Sequence, residues 1–334
     1  MPMNWNMVGH EWAVTLLQHH IEQGQMRHAY LFTGPPAVGR RTLALRFAQA
    51  LNCIQPEETG VPCYECRPCK QIEKMQQTDL TIVTPQEGST TVKVDQIRAL
   101  QHTLSLSPYE ARFRIALLPD FQRATTSAQN ALLKTLEEAP RKVILLVTAD
   151  SAENLLPTIV SRCEVMRLRP VGLELLEDAL ETKWSLPTED ARLLAHLSSG
   201  RPGFAIKSFH DPDDFVLRMD WIEDLIRLST SNRRERFQYA EMYKSRESRA
   251  KAIQIFQAWL LFWRDLLLTV SGADVPLVNL DWAPQIQDMA RFYDLSQLRK
   301  IIADLEQGLT KLIQTNVNTR LLIEVILMDW PRLQ

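Results

Sequence analysis

Four cysteines stand at a spacing that suits a metal ion. Cys53, Cys63, Cys66 and Cys69 are separated by nine, two and two residues. Two residues between cysteines let successive thiolates converge on one ion, and four thiolates complete a tetrahedral shell around Zn2+. A full shell leaves no position open for water, so the expected role is structural and not hydrolytic. The competing readings are a cluster of free thiols or a single redox pair. Redox chemistry needs an exposed pair with a depressed pKa, and nothing in the sequence argues for one.

Upstream, Gly34-Pro-Pro-Ala-Val-Gly39-Arg40-Arg41-Thr42 has the glycine spacing of a Walker A phosphate loop. Its two chemical positions are altered. The lysine that reaches the β- and γ-phosphates is replaced by Arg40, whose planar guanidinium is not an equivalent point charge. The hydroxyl residue that holds Mg2+ is replaced by Arg41, a second cation where the metal belongs. Thr42 is no substitute, because one step along a helix turns a side chain by about 100°. Ala37 adds a Cβ inside the loop, where backbone must approach phosphate. Downstream, Arg114–Leu118 runs into Pro119-Asp120-Phe121, so only one carboxylate stands where a Walker B strand ends in two acids. Productive binding of ATP and Mg2+ is not expected. A Pro/Gly turn with no nucleotide history is the alternative, and the degenerate second site in its expected place weighs against it.

These residues need a frame. His28–Thr33 reads as a short buried strand and Arg40–Leu51 as a helix, with Leu43, Phe47 and Leu51 four apart. Further strands are expected at Leu80–Val83, Arg114–Leu118 and Val143–Thr148, with helices at Val94–Leu106 and Ala124–Glu138. Strands alternating with helices through short loops argue for a parallel α/β sheet. From Val171 the strand signals fade. Helices are expected at Leu173–Lys183 and Glu189–Ser198, a break at Gly200-Arg201-Pro202-Gly203, and a linker at His210–Asp214. Beyond it, Ile253, Phe256, Leu260, Trp263 and Leu267 share one helical face, as do Leu298, Ile301, Leu305, Leu309 and Leu312. Such stripes serve core packing or an oligomer collar.

Composition sets outer bounds. With 334 residues, 45% apolar and 23% charged, the chain can bury two or three domains, and disordered or fibrous classes are excluded. A formal net charge of −2 gives no chain-wide basic field for DNA. Met1–Val8 lack the charged start and apolar run of a signal peptide. Ala258–Val270 is interrupted by Arg264 and Asp265 and is short for a membrane span. A cytoplasmic, thiol-reducing location with no membrane contact is the expectation.

Asn130-Ala-Leu-Leu-Lys-Thr-Leu-Glu-Glu138, followed by Ser161-Arg162-Cys163, resembles the clamp-loader branch of the AAA+ ATPases. His28-Ala-Tyr-Leu-Phe32 and the four-cysteine insertion are similar to the bacterial DNA polymerase III gamma/tau and delta-prime subunits. Asn316-Val-Asn-Thr-Arg-Leu321 and Glu324 resemble the delta-prime C-terminal pattern, so the likeness covers nearly the whole chain. It implies a RecA-like parallel-sheet P-loop (AAA+) domain over 1–170 with a zinc insertion at 53–69. It further implies a helical lid over 171–209 and an all-α collar over 210–334 that joins a five-subunit ring. In that ring gamma/tau hydrolyse ATP, delta opens the sliding clamp (beta), and primed DNA is met through the complex. Delta-prime is the rigid member, a non-catalytic part of a DNA-directed DNA polymerase (nucleotidyltransferase) holoenzyme. The altered loop fits that member. So does Gly203, which stands where active members carry the arginine of a Gly-x-x-Arg nucleotide sensor. By the same resemblance Arg162 is an arginine finger acting in trans on a neighbour's ATP, and the plainer reading is a surface pair with a nearby acid. Glu137 and Glu138 read as solvent-facing charges. The other readings of the chain are an active gamma/tau-type ATPase and a zinc-containing DNA-binding protein.

Overall fold

The computed structural model describes residues 5–245 and 247–331, with no side-chain detail at 212 and 214; the ends of the first and last expected domains lie outside it. The chain divides into two compact units. One runs to Lys183 and adds Gly200–Phe204; the other takes Trp184–Ser199 and Ala205 onward.

The first unit opens with α1 (Glu11–Glu22), β1 (Ala29–Thr33), α2 (Arg40–Asn52), α3 (Arg67–Glu73) and β2 (Leu80–Ile82). It continues through α4 (Val94–Leu104), β3 (Arg114–Leu118), α5 (Thr126–Glu137), β4 (Val143–Ala149), α6 (Pro157–Val160), β5 (Glu164–Arg167) and α7 (Leu173–Trp184). The five strands form one parallel sheet in the order β2-β3-β4-β1-β5. β1, β3 and β4 are buried along their whole length, as a sheet covered on both faces requires. One face carries Tyr30, Phe32, Ile115, Leu117 and Leu146 against α1 and α2. The other carries Leu31, Ala116, Leu118, Leu145 and Val147 against α4 and α5.

Register decides what meets at the sheet's end. Thr33 pairs with Ala149 and Leu118 with Val147, so the loops leaving β1, β3 and β4 emerge side by side. This is the edge at which open α/β sheets take their ligands.

The remaining helices are α8 (Thr188–Leu197), α9 (Pro202–His210), α10 (Pro212–Thr230), α11 (Arg233–Glu241), α12 (Ser248–Ser271), α13 (Ala283–Met289), α14 (Leu295–Gln314) and α15 (Thr319–Asp329). In the second unit, Phe256 and Trp263 on α12 and Leu298, Ile301, Leu305 and Leu312 on α14 are buried in one core, with Ile253, Leu260, Leu267 and Leu309 packed at its margin. Both expected stripes therefore face that core. By length and composition α12 could cross a membrane. It is nonetheless a packed helix of this unit, and its fully buried Asp265 accepts bonds from the Val278 and Asn279 N–H groups.

Two local expectations need correction, and some elements go beyond those expected. α1 and the short strand β5 were not anticipated. No linker separates α9 from α10: only Asp211 intervenes, and Pro212 starts the next helix, where its missing N–H costs nothing. Gly203 lies inside α9, so the helix break is confined to the turn before Pro202.

Candidate functional site

The loop after β1 keeps the backbone of a phosphate loop. Gly34 adopts φ 146°, and a Cβ there would lie 2.3 Å from the Leu168 carbonyl oxygen, so glycine is required. Ala37 holds a left-handed φ of 65°, which costs a non-glycine residue about 1–2 kcal/mol. Gly39, at φ 112°, leads into α2. His10 braces the loop through Nε2, 2.9 Å from the Val38 carbonyl oxygen. Burial draws the His10 pKa below its ordinary value, which fits a neutral ring donating from Nε2.

Arg40 occupies the chemical centre. Its Nη1 donates to Asp150 Oδ1 at 3.1 Å and its Nη2 to Asp120 Oδ1 at 3.0 Å. Only 8% of the Arg40 side chain is exposed, against 42% for each carboxylate. Asp120 leaves β3 in a left-handed turn (φ 48°), its N–H bonded to Thr148 Oγ1 at 2.9 Å. Asp150 follows β4, and Gln122 also donates to it. Two acids at the sheet's end are a place for a divalent cation; here a guanidinium bridges them.

Arg41 behaves differently from expectation. Its exposed guanidinium turns to Met75 Sδ, so the cation at the metal position is Arg40 alone. Thr42 is exposed. Above the loop, the Gly203 N–H donates to the Ala37 carbonyl at 2.9 Å, and a Cβ at Gly203 would stand 2.9 Å from that oxygen. A side chain there requires the backbone to move.

The cysteines converge. The four Sγ atoms lie within 4.8 Å of one another, with Cys53 3.5 Å from Cys63 and 3.9 Å from Cys66. Four thiolates at about 2.3 Å from one zinc ion sit about 3.8 Å apart, so the set fits the ion. The Cys63 N–H points at Cys53 Sγ (3.4 Å) and the Cys66 N–H at Cys63 Sγ (3.3 Å), the orientation that favours thiolates. At Cys63 burial opposes ionisation, but the N–H groups of Cys66 and Glu65 outweigh it and bring the thiol down to about 7. Burial pushes Cys69 up. Helix α2 ends next to Cys53 and α3 carries Cys69, while Gln49 binds the Cys69 carbonyl at 2.9 Å. Asn52 then ties this module to the segment entering β3, exchanging two bonds with Phe113.

A third arrangement lies away from the loop. Arg162 follows α6, and its Nη2 reaches Glu137 Oε1 on α5 at 2.7 Å. Its Nη1 donates to the Thr158 carbonyl at 2.9 Å and to Ser161 Oγ at 3.4 Å. The arginine side chain is 36% exposed and Glu137 52%. Burial raises the neighbouring Cys163 thiol to about 12, which keeps it an inert packing residue.

Residues 9–172 match a family model described as DNA polymerase III, delta subunit, and residues 213–332 match its C-terminal counterpart. DNA polymerase III subunit delta' of Bacillus subtilis is 28% identical over 95% of this chain and 94% of its own length. The chain belongs to the delta-prime family of DNA polymerase III clamp-loader subunits. A tau/gamma subunit of Haemophilus influenzae is more similar locally, 33% identical, but covers 57% of this chain and 27% of its own length. The delta-prime match, by contrast, extends through the helical unit. A gamma-subunit-related protein of Thermotoga maritima shares the fold at a TM-score of 0.50 and 18% identity, covering 94% of this chain and 97% of its own. The sheet is that of the RecA-like AAA+ fold.

Within this delta-prime chain, reasoning from sequence missed Asp150, Gln122 and His10; Glu137 is half-exposed as expected, and its pair with Arg162 is the surface contact that the plainer reading of Arg162 described. Asp150 had a usable signal: an acid directly after a strand that must end beside the phosphate loop. His10 had none, since its partner is 28 residues away.

Proposed function

We propose that this chain is the non-hydrolysing member of its clamp loader, assembling with gamma/tau and delta subunits in a heteropentamer that places the sliding clamp on primed DNA. The observation that carries this reading is the Arg40 fork on Asp120 and Asp150. A bound nucleotide would need Mg2+ near those acids and a phosphate near the loop, and the guanidinium already holds the acids. Gly203 supplies no sensor cation, and its backbone closes on the loop instead.

In this reading residues 1–170 are the AAA+ domain, 171–209 the lid and 210–334 the collar, and the protein works in the cytoplasm. Zinc held by Cys53, Cys63, Cys66 and Cys69 supplies cross-linking, not catalysis. Arg162 serves a neighbour, placing positive charge where the γ-phosphate gains negative charge during transfer.

Two measurements test the proposal. The isolated chain, offered ATP and Mg2+, is expected to release no phosphate above background. Mixed with gamma/tau and delta, it is expected to give one defined complex by native mass. Steady hydrolysis by the isolated chain would favour the gamma/tau-type reading instead.

A further inference from the structure

The geometry points to Glu137 as the positioning residue for Arg162, an inference that rests on the arginine-finger reading above. An arginine acting across a subunit boundary meets an entropic difficulty. Its side chain carries roughly 2 kcal/mol of rotamer freedom, which must be given up when it engages phosphate. Catalytic gain from a charged group depends on that freedom having been removed beforehand.

Here part of it is removed within the chain. Nη2 is held by the Glu137 carboxylate, and Nη1 by the Thr158 carbonyl and the Ser161 hydroxyl. These contacts leave Nε–H and one Nη2 hydrogen uncommitted on a side chain that is still one-third exposed. Glu137 closes the last turn of α5, so the helix's terminal carbonyls add negative potential beside the guanidinium. The base of the arginine is equally fixed: its N–H bonds to the Ile159 carbonyl at 3.0 Å. Glu137 sits on α5 and Arg162 follows α6, so the finger is aimed by the meeting of two helices. The acceptor matters more than its charge, because Glu137 is half-exposed and solvent screens its repulsion of an incoming phosphate.

The test uses assembled rings in which this subunit carries Glu137→Ala, Glu137→Gln or Arg162→Ala, with assembly checked by native mass. Phosphate release is followed as a function of ATP concentration. Glu137→Ala is expected to lower kcat at the adjacent site by about 10–100-fold, as misplacement on the order of 1 Å does. KM should stay unchanged, since the neighbour binds the nucleotide. Glu137→Gln keeps an oxygen acceptor and should remain within a few-fold of the unaltered ring. Adding Glu137→Ala to Arg162→Ala should cost nothing more. Full activity of Glu137→Ala in a ring that Arg162→Ala impairs would overturn the positioning role and leave the finger intact. Full activity of both variants would overturn the finger itself. A glutamine variant as poor as alanine would overturn the claim that an acceptor oxygen suffices.

Discussion

Two arginines in the α/β unit show opposite ways of treating a charge. Arg40 is enclosed, its fork spent on Asp120 and Asp150 with 8% of the side chain exposed. Arg162 rests on one half-exposed carboxylate and keeps donors toward solvent. In the first case two acids balance the cation, and burial keeps its remaining donors from solvent. In the second the pairing fixes direction while sparing capacity. Residue type does not separate the two: both are arginines in motifs associated with ATP. The difference lies in how many acids the fold delivers to each.

The widest separation should appear in catalysis. Arg162→Ala in an assembled ring is expected to cost about 10³–10⁵ in rate at the site it serves, read as a partial fall in total ATP turnover. Arg162→Lys should fail nearly as badly, because a point charge on a flexible stem does not reproduce the fork. An unaltered rate would make the two arginines alike, both structural. Next comes stability. Arg40→Ala leaves two carboxylates without their cation, but each is 42% exposed and screened by solvent, so the cost is expected at about 1–2 kcal/mol. Denaturant melts should show the α/β unit losing that amount, and replacing Asp120 and Asp150 by asparagine as well should restore most of it. Arg40→Lys with Arg41→Thr probes the same enclosure more gently. That variant is expected to gain measurable affinity for a fluorescent ATP analogue with Mg2+, yet no turnover while Pro119 stays. The smallest effect is the stability of Arg162→Ala, which should stay within about 1 kcal/mol of the unaltered protein because the pair is exposed.

Zinc tests whether the enclosed side also depends on its flank. Gently purified, reduced protein should carry close to one zinc ion per chain by elemental analysis. Cys66→Ser should lower that content and loosen the 53–69 insertion while the helical unit melts unchanged, since a local site stabilises its own loop.

Much of this frame can be read without coordinates. Arg114–Leu118 was delimited to the residue, and α2 to one residue at its end, because buried strands and apolar helix spacing are local signals. The cysteine cluster was legible for the same reason: its ligands share one short segment. What escaped reading depends on register and on pairs distant in sequence. That Arg40 meets Asp150 follows from Thr33 lying opposite Ala149, a fact of strand pairing. Arg41 was misplaced because its destination, Met75, belongs to a loop whose path no periodicity reveals. The break expected through Gly203 failed because glycine only weakens a helix, while the preceding Pro202 favours its first turn.

The doubly bonded Arg40 also bears on how such a site changes over generations. Once one guanidinium satisfies two acids, each of the three residues becomes the reason to keep the others. A single step back to a short ammonium gives up one arm of the fork, and loss of either acid leaves the cation half-partnered. Restoring a working phosphate loop therefore requires several coordinated substitutions, with less stable intermediates between them. The bridge acts as a ratchet, making the loss of chemistry easier to enter than to leave.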